Sequence, residues 1–305
     1  MNSLTTFENY LTAQDYSQLT IKGYVGDTRR FMHWFSEHRE QTFSIKAIQP
    51  QDVQTYRQQL LVKGQKPNTI NRKIAAIVAF GKWGVAVGRV DQNPGLHVRN
   101  LDSVSLAPKW LDKNELAAFI RAAEDDLVLA RQRYPRLWIL RLRDTAMVIT
   151  LVNTGLRVRE LCALTLDDVE ISARKGQATV NGKGFKQRTI PLNTACRQIL
   201  NEWLQYRPGS DKRALFINQR RATVRPRSAQ RAVKRIAEQA GLGDDVTPHT
   251  LRHTFAKSLI NEGVTLEKVA KLLGHSSLNT TRIYVTPSEK DLEKAVNSLE
   301  DDHDL

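Results

Sequence analysis

Two cysteines in 305 residues, Cys162 and Cys196, leave nothing from which to build a disulfide framework or a metal knuckle. Each sits in an apolar helical stretch, ELCAL and TACRQIL, where a small buried side chain suits. The sequence also lacks any apolar run of about 18 residues that could span a bilayer, and its start, MNSLTTFENYL, lacks the basic and apolar regions of a secretory leader. These absences predict a cytoplasmic protein with no membrane partner, in a cell without a nucleus or at least one whose import tract is not visible here. Acidic residues are in the minority, 32 against 46 lysines and arginines, for a formal net charge of +14. A polyanion is therefore the first partner to consider, and nucleic acid heads that list; a basic chain with no basic function is the plain alternative. The apolar fraction of 41% is that of a folded, soluble protein, and the length suffices for two ordinary domains.

Hydrophobic spacing organises the chain. From Leu19 to about Arg39, the residues Ile21, Tyr24, Val25, Thr28, Phe31, Met32 and Phe35 follow one helix face. Gln51 to Leu61 forms a second helix after Pro50. Asn68 to about Val87 forms a third, with Ile70, Ile74, Ile77, Val78 and Trp83 inward and Arg72 and Lys73 outward. The turn residues Asn93, Pro94 and Gly95 close this unit, and the aperiodic stretch from Leu96 to Pro108 reads as a linker. The predicted division is a helical domain over 1–98, a linker over 99–108, a second domain over 109–287, and a terminal helix with an acidic tail over 288–305.

The second domain opens a helix at Leu111 to Glu115 and carries a longer apolar one from about Leu137 to Gly155. Between Asp167 and Leu192 the pattern shortens to alternating segments, Gln177 to Val180 and Arg188 to Pro191. They are joined through Asn181, Gly182, Lys183 and Gly184, the chemistry of a tight reversal. Helices resume at 194–206, 228–240, 249–263 and 266–273, and Ser288 caps a last one to Leu299. The fold class is mainly α with a small antiparallel sheet, in two domains.

Three of the seven histidines fall within residues 249–275, interleaved with Arg252 and followed by Tyr284. On one helix, His249 and Arg252 stand a turn apart on the same face, a pair suited to a phosphate. A guanidinium offers two oxygens a planar fork of donors, and beside a second arginine it stabilises the charge that grows on a pentacovalent phosphorane. Arg157, in TGLRVRE just after a helix-breaking glycine, is the candidate second arginine. His249 and His253 also have the i, i+4 spacing of zinc helices. However, Thr250 stands where a metalloprotease needs glutamate, and Arg252 would set positive charge beside the cation.

The blocks TGLRVRELCAL, NGKGFKQRTIPL, HTLRHTFAKSLI and KLLGHSSLNTTRIY, in that order behind a helical domain, resemble the tyrosine recombinase or phage integrase family over nearly the whole chain. The resemblance to simple recombinases of the Xer or Cre type implies a two-domain DNA clamp and a catalytic set of Arg157, Lys183, His249, Arg252, His275 and Tyr284, with Glu160 in support. Tyr284 would attack a DNA phosphate and His249 would take its proton. Arg157 and Arg252 would clamp the nonbridging oxygens, His275 would donate to the phosphate, and Lys183 would protonate the leaving 5′ oxygen. No metal, nucleotide or other cofactor enters this chemistry. The implied partners are a specific double-stranded DNA site and further copies of the chain, a dimer on each site and a tetramer in the synapse, with the 288–299 helix packing on a neighbouring copy. Candidate DNA contacts are Lys22, Arg29, Arg72 and Lys73 in the first domain, and Arg225, Arg227, Arg231, Lys234 and Arg235 in the second. A type IB topoisomerase shares much of this chemistry, but His275 and the TGLR and LLGH blocks favour the recombinase. A DNA-binding accessory factor has no need of Tyr284 beside two histidines.

Overall fold

Leu4, Phe7 and Leu11 recur at helical spacing and are all buried, which makes residues Ser3–Ala13 (α1) the first helix of the chain, one that the sequence reading did not assign. The computed structural model describes residues 3–102, 108–135, 137–181, 187–275 and 277–285. Gln18–Arg39 (α2) starts where the Ser17 side chain accepts from the backbone N–H of Thr20, and its buried face carries Ile21, Val25, Thr28, Phe31 and Phe35 as the spacing predicts. Pro50–Val62 (α3) and Pro67–Ala86 (α4) both begin on proline, whose missing N–H costs nothing in a first helical turn. An aromatic core joins these helices: the Phe7 and Phe80 rings meet edge to face with centroids 5.2 Å apart, and Phe31 lies 5.2 Å from Tyr56.

Lys73 corrects the outward placement. It is 8% exposed, and its ammonium donates to Gln65 Oε1 at 2.8 Å. Three residues after Ile70 and four before Ile77, it lies on the apolar stripe itself, so its charge reaches a partner inside the unit rather than solvent.

The chain divides into two compact units, Met1–Leu106 and Ala107–Leu305. In the second, Asp112 caps Lys113–Arg133 (α5) by accepting from the N–H groups of Asn114 and Glu115, while Glu115 accepts from the Asp112 N–H. Trp138–Thr154 (α6) is buried along most of its length, as suits the central helix of a core that includes Met147, Leu151, Trp203 and Phe216. It stops at Gly155, whose positive φ no other residue adopts as readily. The short helix Val158–Ala163 (α7) follows, then the strands Val169–Ile171 (β1), Gly176–Asn181 (β2) and Gln187–Pro191 (β3). They form an antiparallel sheet in the order β1-β2-β3. The β2–β3 register runs from Gln177 opposite Pro191 to Asn181 opposite Gln187, with Ala178, Val180 and Ile190 on the core face. Thr194–Tyr206 (α8), Pro226–Gln239 (α9), Pro248–Asn261 (α10), Leu266–Leu273 (α11) and the single turn Asn279–Arg282 (α12) complete the described residues. Lys183 and the proposed 288–299 helix lie outside them.

Candidate active site

The site gathers at the end of α6, the start of α7, one edge of β3, the first turns of α10 and the end of α11. Thr247 accepts from the Thr250 N–H to start α10, and Pro248 sets its first residue, which fixes the phase that puts His249, Arg252 and His253 on neighbouring faces. Arg252 is 4% exposed. Its guanidinium donates to the Gly155 carbonyl at 2.6 Å and to the Leu273 carbonyl at 2.7 Å. Both carbonyls end helices and have no partner within them, so one side chain satisfies two helix termini. Burial, then the charge of Arg157, pulls the Arg252 pKa down to about 10, which still leaves it cationic at neutral pH.

Arg157 caps α7 and remains substantially exposed. Its backbone N–H donates to Glu160 at 2.8 Å and its guanidinium to the same carboxylate at 2.8 Å. Burial opposes the ionisation of Glu160, but hydrogen bonds from Arg188 and Arg157 outweigh it and hold the carboxyl below its usual range.

Tyr284 is 1% exposed, packed among Ala256, Val269 and Leu273, and its hydroxyl lies 2.9 Å from His253 Nδ1. Burial raises the pKa of the phenol, against the pull of Arg252 and Arg157. Burial, with His249 and Arg252 nearby, lowers His253 to about 4, so its neutral ring can accept from the phenol. His275 is lowered to about 4 by burial and then by Arg252, Arg157 and Arg188, and its Nδ1 meets the Thr281 hydroxyl at 2.8 Å. His249, at the open start of α10, is lowered by lost hydration and by the charges of Arg252 and Arg157. The charges of these two arginines thus both reach His249, His275 and Tyr284, and that of Arg252 also reaches His253. Among the described residues no third metal-binding side chain joins His249 and His253.

The profile of the Phage integrase family matches residues 109–291, and that of the phage integrase N-terminal SAM-like domain matches residues 4–88. The chain belongs to the phage integrase family. This family member is 31% identical to tyrosine recombinase XerC of Bacillus licheniformis, over 97% of its own length and 95% of the relative's. It is 28% identical to XerC of Thermodesulfovibrio yellowstonii, over 99% and 96%. Among solved structures, XerH site-specific recombinase bound to difH in a pre-cleavage complex has a TM-score of 0.71 at 25% identity, covering 96% of this chain and 84% of that one. A lambda integrase dimer bound to a core site shares the fold, with a TM-score of 0.68 at 20% identity over 92% and 93%. The integrase-family chain is a tyrosine-type site-specific recombinase, working through a tyrosine–DNA intermediate.

Two residues of the site escaped the sequence reading. His253 shows in the sequence only a metal-ligand spacing, yet it is the group that meets the Tyr284 hydroxyl. In the sequence pattern Arg188 shows only as the start of a strand. Its signal was present: it shares a strand face with Ile190, and an arginine on an inward face requires a buried anion. The basic surface is divided. Lys22, Arg29, Arg225, Arg227 and Arg231 are exposed, whereas Arg72 pairs with the buried Asp27 and Lys234 faces Glu238 and Asp244. Arg235 donates to Asp126 and Asp144, both at 3.1 Å, in a part-buried ion cluster between α5, α6 and α9, and is turned away from the solvent face expected of it.

Proposed function

We propose that Tyr284 attacks a DNA phosphate held by Arg157 and Arg252, forming a 3′ phosphotyrosyl bond and freeing a 5′ hydroxyl. The observation that carries this reading is the reach of the Arg157 and Arg252 charges onto His249, His275 and the Tyr284 hydroxyl at once. A phenol whose pKa is raised is fully protonated near neutral pH, so attack needs an acceptor, and the neutral His249 takes that role. His275 donates to the phosphate, Glu160 supports Arg157, and Lys183 protonates the departing oxygen. In the described conformation the phenol is buried against His253, so its ring turns outward when DNA is bound. The bond formed is close in energy to the bond broken. Rejoining to a different strand therefore needs no nucleotide hydrolysis.

The partners in this reading are a specific double-stranded DNA site and further copies of the chain, a dimer on each site and a tetramer in the synapse, exchanging one strand pair at a time through a Holliday junction. The solved structures of XerH bound to difH and of a lambda integrase dimer bound to a core site support it. The biological setting is dimer or cointegrate resolution, or mobile-element integration and excision. The cytoplasm is the compartment consistent with this; among the described residues no helix is long and apolar enough to cross a membrane.

The test is a suicide-substrate assay on DNA from the protein's own locus. Wild type should give a protease-sensitive covalent adduct and Tyr284→Phe none. Specific binding by wild type without any adduct would sink the catalytic reading in favour of an accessory factor.

A further inference from the structure

We infer that Arg188 is a positioning residue of the recombination reaction: it holds Glu160 so that Arg157 keeps most of its guanidinium free for phosphate, and it fixes the turn that presents His275. The inference rests on the reading of Arg157 as a phosphate-holding residue. Arg188 is nearly buried, with a side chain 11% exposed. Its guanidinium donates to both oxygens of Glu160, at 2.8 and 3.1 Å, and its Nε to the Leu272 carbonyl at 2.9 Å. The next carbonyl along, that of Leu273, accepts from Arg252. Two guanidiniums thus close the last turn of α11, immediately before His275.

Charge and geometry both follow from this sharing. One carboxylate serves two guanidiniums, so the trio keeps a net positive charge for an incoming phosphate. With Arg188 in place, Glu160 spends much of its acceptor capacity on it and takes only one side-chain bond from Arg157. Without Arg188, the carboxylate is free to close on Arg157 as a two-pronged pair and draw its donors away from the substrate. Gly274 makes the approach possible: its φ is +65°, and a Cβ there would stand 2.7 Å from the Arg188 Nη1. The guanidinium therefore lies directly against the chain leading to His275.

The experiment is single-turnover adduct formation by the full chain at saturating DNA, on the nicked substrate of the Tyr284 assay, reading rate constant and amplitude separately. Misfolded molecules lower the amplitude, whereas a misplaced Arg157 lowers the rate constant. Arg188→Met should cut the rate constant about 10- to 100-fold, the scale of a small misplacement at a reacting centre, with DNA affinity and amplitude retained. Arg188→Lys should fail to restore it, because an ammonium has no planar fork. Arg188→Met also strands the Glu160 charge, so the double variant Arg188→Met/Glu160→Gln is decisive. It should regain thermal stability and recover part of the rate constant, because no carboxylate is left to close on Arg157, while the unheld turn before His275 keeps the rate below that of wild type. Regained stability with no gain in rate constant over Arg188→Met, full rescue by lysine, or a loss of amplitude alone would each overturn the inference. An Arg157→Ala variant with an undiminished rate would instead remove the reading of Arg157 on which the inference stands.

Discussion

At the residue scale the site is a set of histidines kept neutral by their surroundings. His253 and His275 take up a proton only near pH 4, because burial and the arginines beside them oppose a further positive charge. In the unfolded chain both titrate near 6.5. Between those values the unfolded state binds protons that the folded state refuses. Stability is therefore fully present above about pH 6.5 and declines as pH falls towards 4. Thermal unfolding followed from pH 7 to 4 should show this decline, and His253→Gln should flatten it. An equally steep decline in that variant would mean that His253 does not carry the effect. The same neutrality leaves imidazole nitrogens available as acceptors for the phenol at working pH.

At the scale of elements, the site depends on how helices end. α6 stops at Gly155 and α11 at Gly274, both with positive φ, and the carbonyls released at these ends hold Arg252 and Arg188. A methyl at Gly155 would stand 2.4 Å from the Phe255 ring and 2.9 Å from Leu273. Both residues pack in the cluster that contains Tyr284. Gly155→Ala should cost about 1–3 kcal/mol for its backbone conformation alone, with the displaced ring adding to it. Urea unfolding gives the stability, and adduct formation gives the consequence for Tyr284. A variant that loses less than about 0.5 kcal/mol would show that the turn relaxes without cost.

At the scale of the whole molecule, two units each carry their own core, aromatic in the first and built around α6 in the second. A net charge of +14 over the chain makes phosphate neutralisation the dominant sequence-independent term in DNA binding. If six or more phosphates are contacted, affinity should fall about 10³-fold between roughly 50 and 200 mM salt. Substituting Arg227 or Arg231, which are exposed, should reduce the salt slope, whereas Arg235→Ala should leave it unchanged and lower stability instead. A reduced slope for Arg235→Ala would place that side chain on the DNA after all.

What the sequence determined by itself is whatever repeats within one element or one block. The period of α2, the phase of α4 along its isoleucines, the alternation of β2 and β3, the glycine stop after α6 and the order of the family blocks are all local patterns. They were legible without a partner. Tertiary structure decided whatever joins residues distant in the chain. Three histidines lie between residues 249 and 275, and nothing local says that His253, 31 residues before Tyr284, is the one its hydroxyl meets. Arg188 finds Glu160 across 28 residues, and Lys73 turns inward because Gln65 is there to receive it. Periodicity reports which face of an element is buried. The particular neighbour that a buried polar group finds depends on how the elements pack, and the need to satisfy that group then fixes the site.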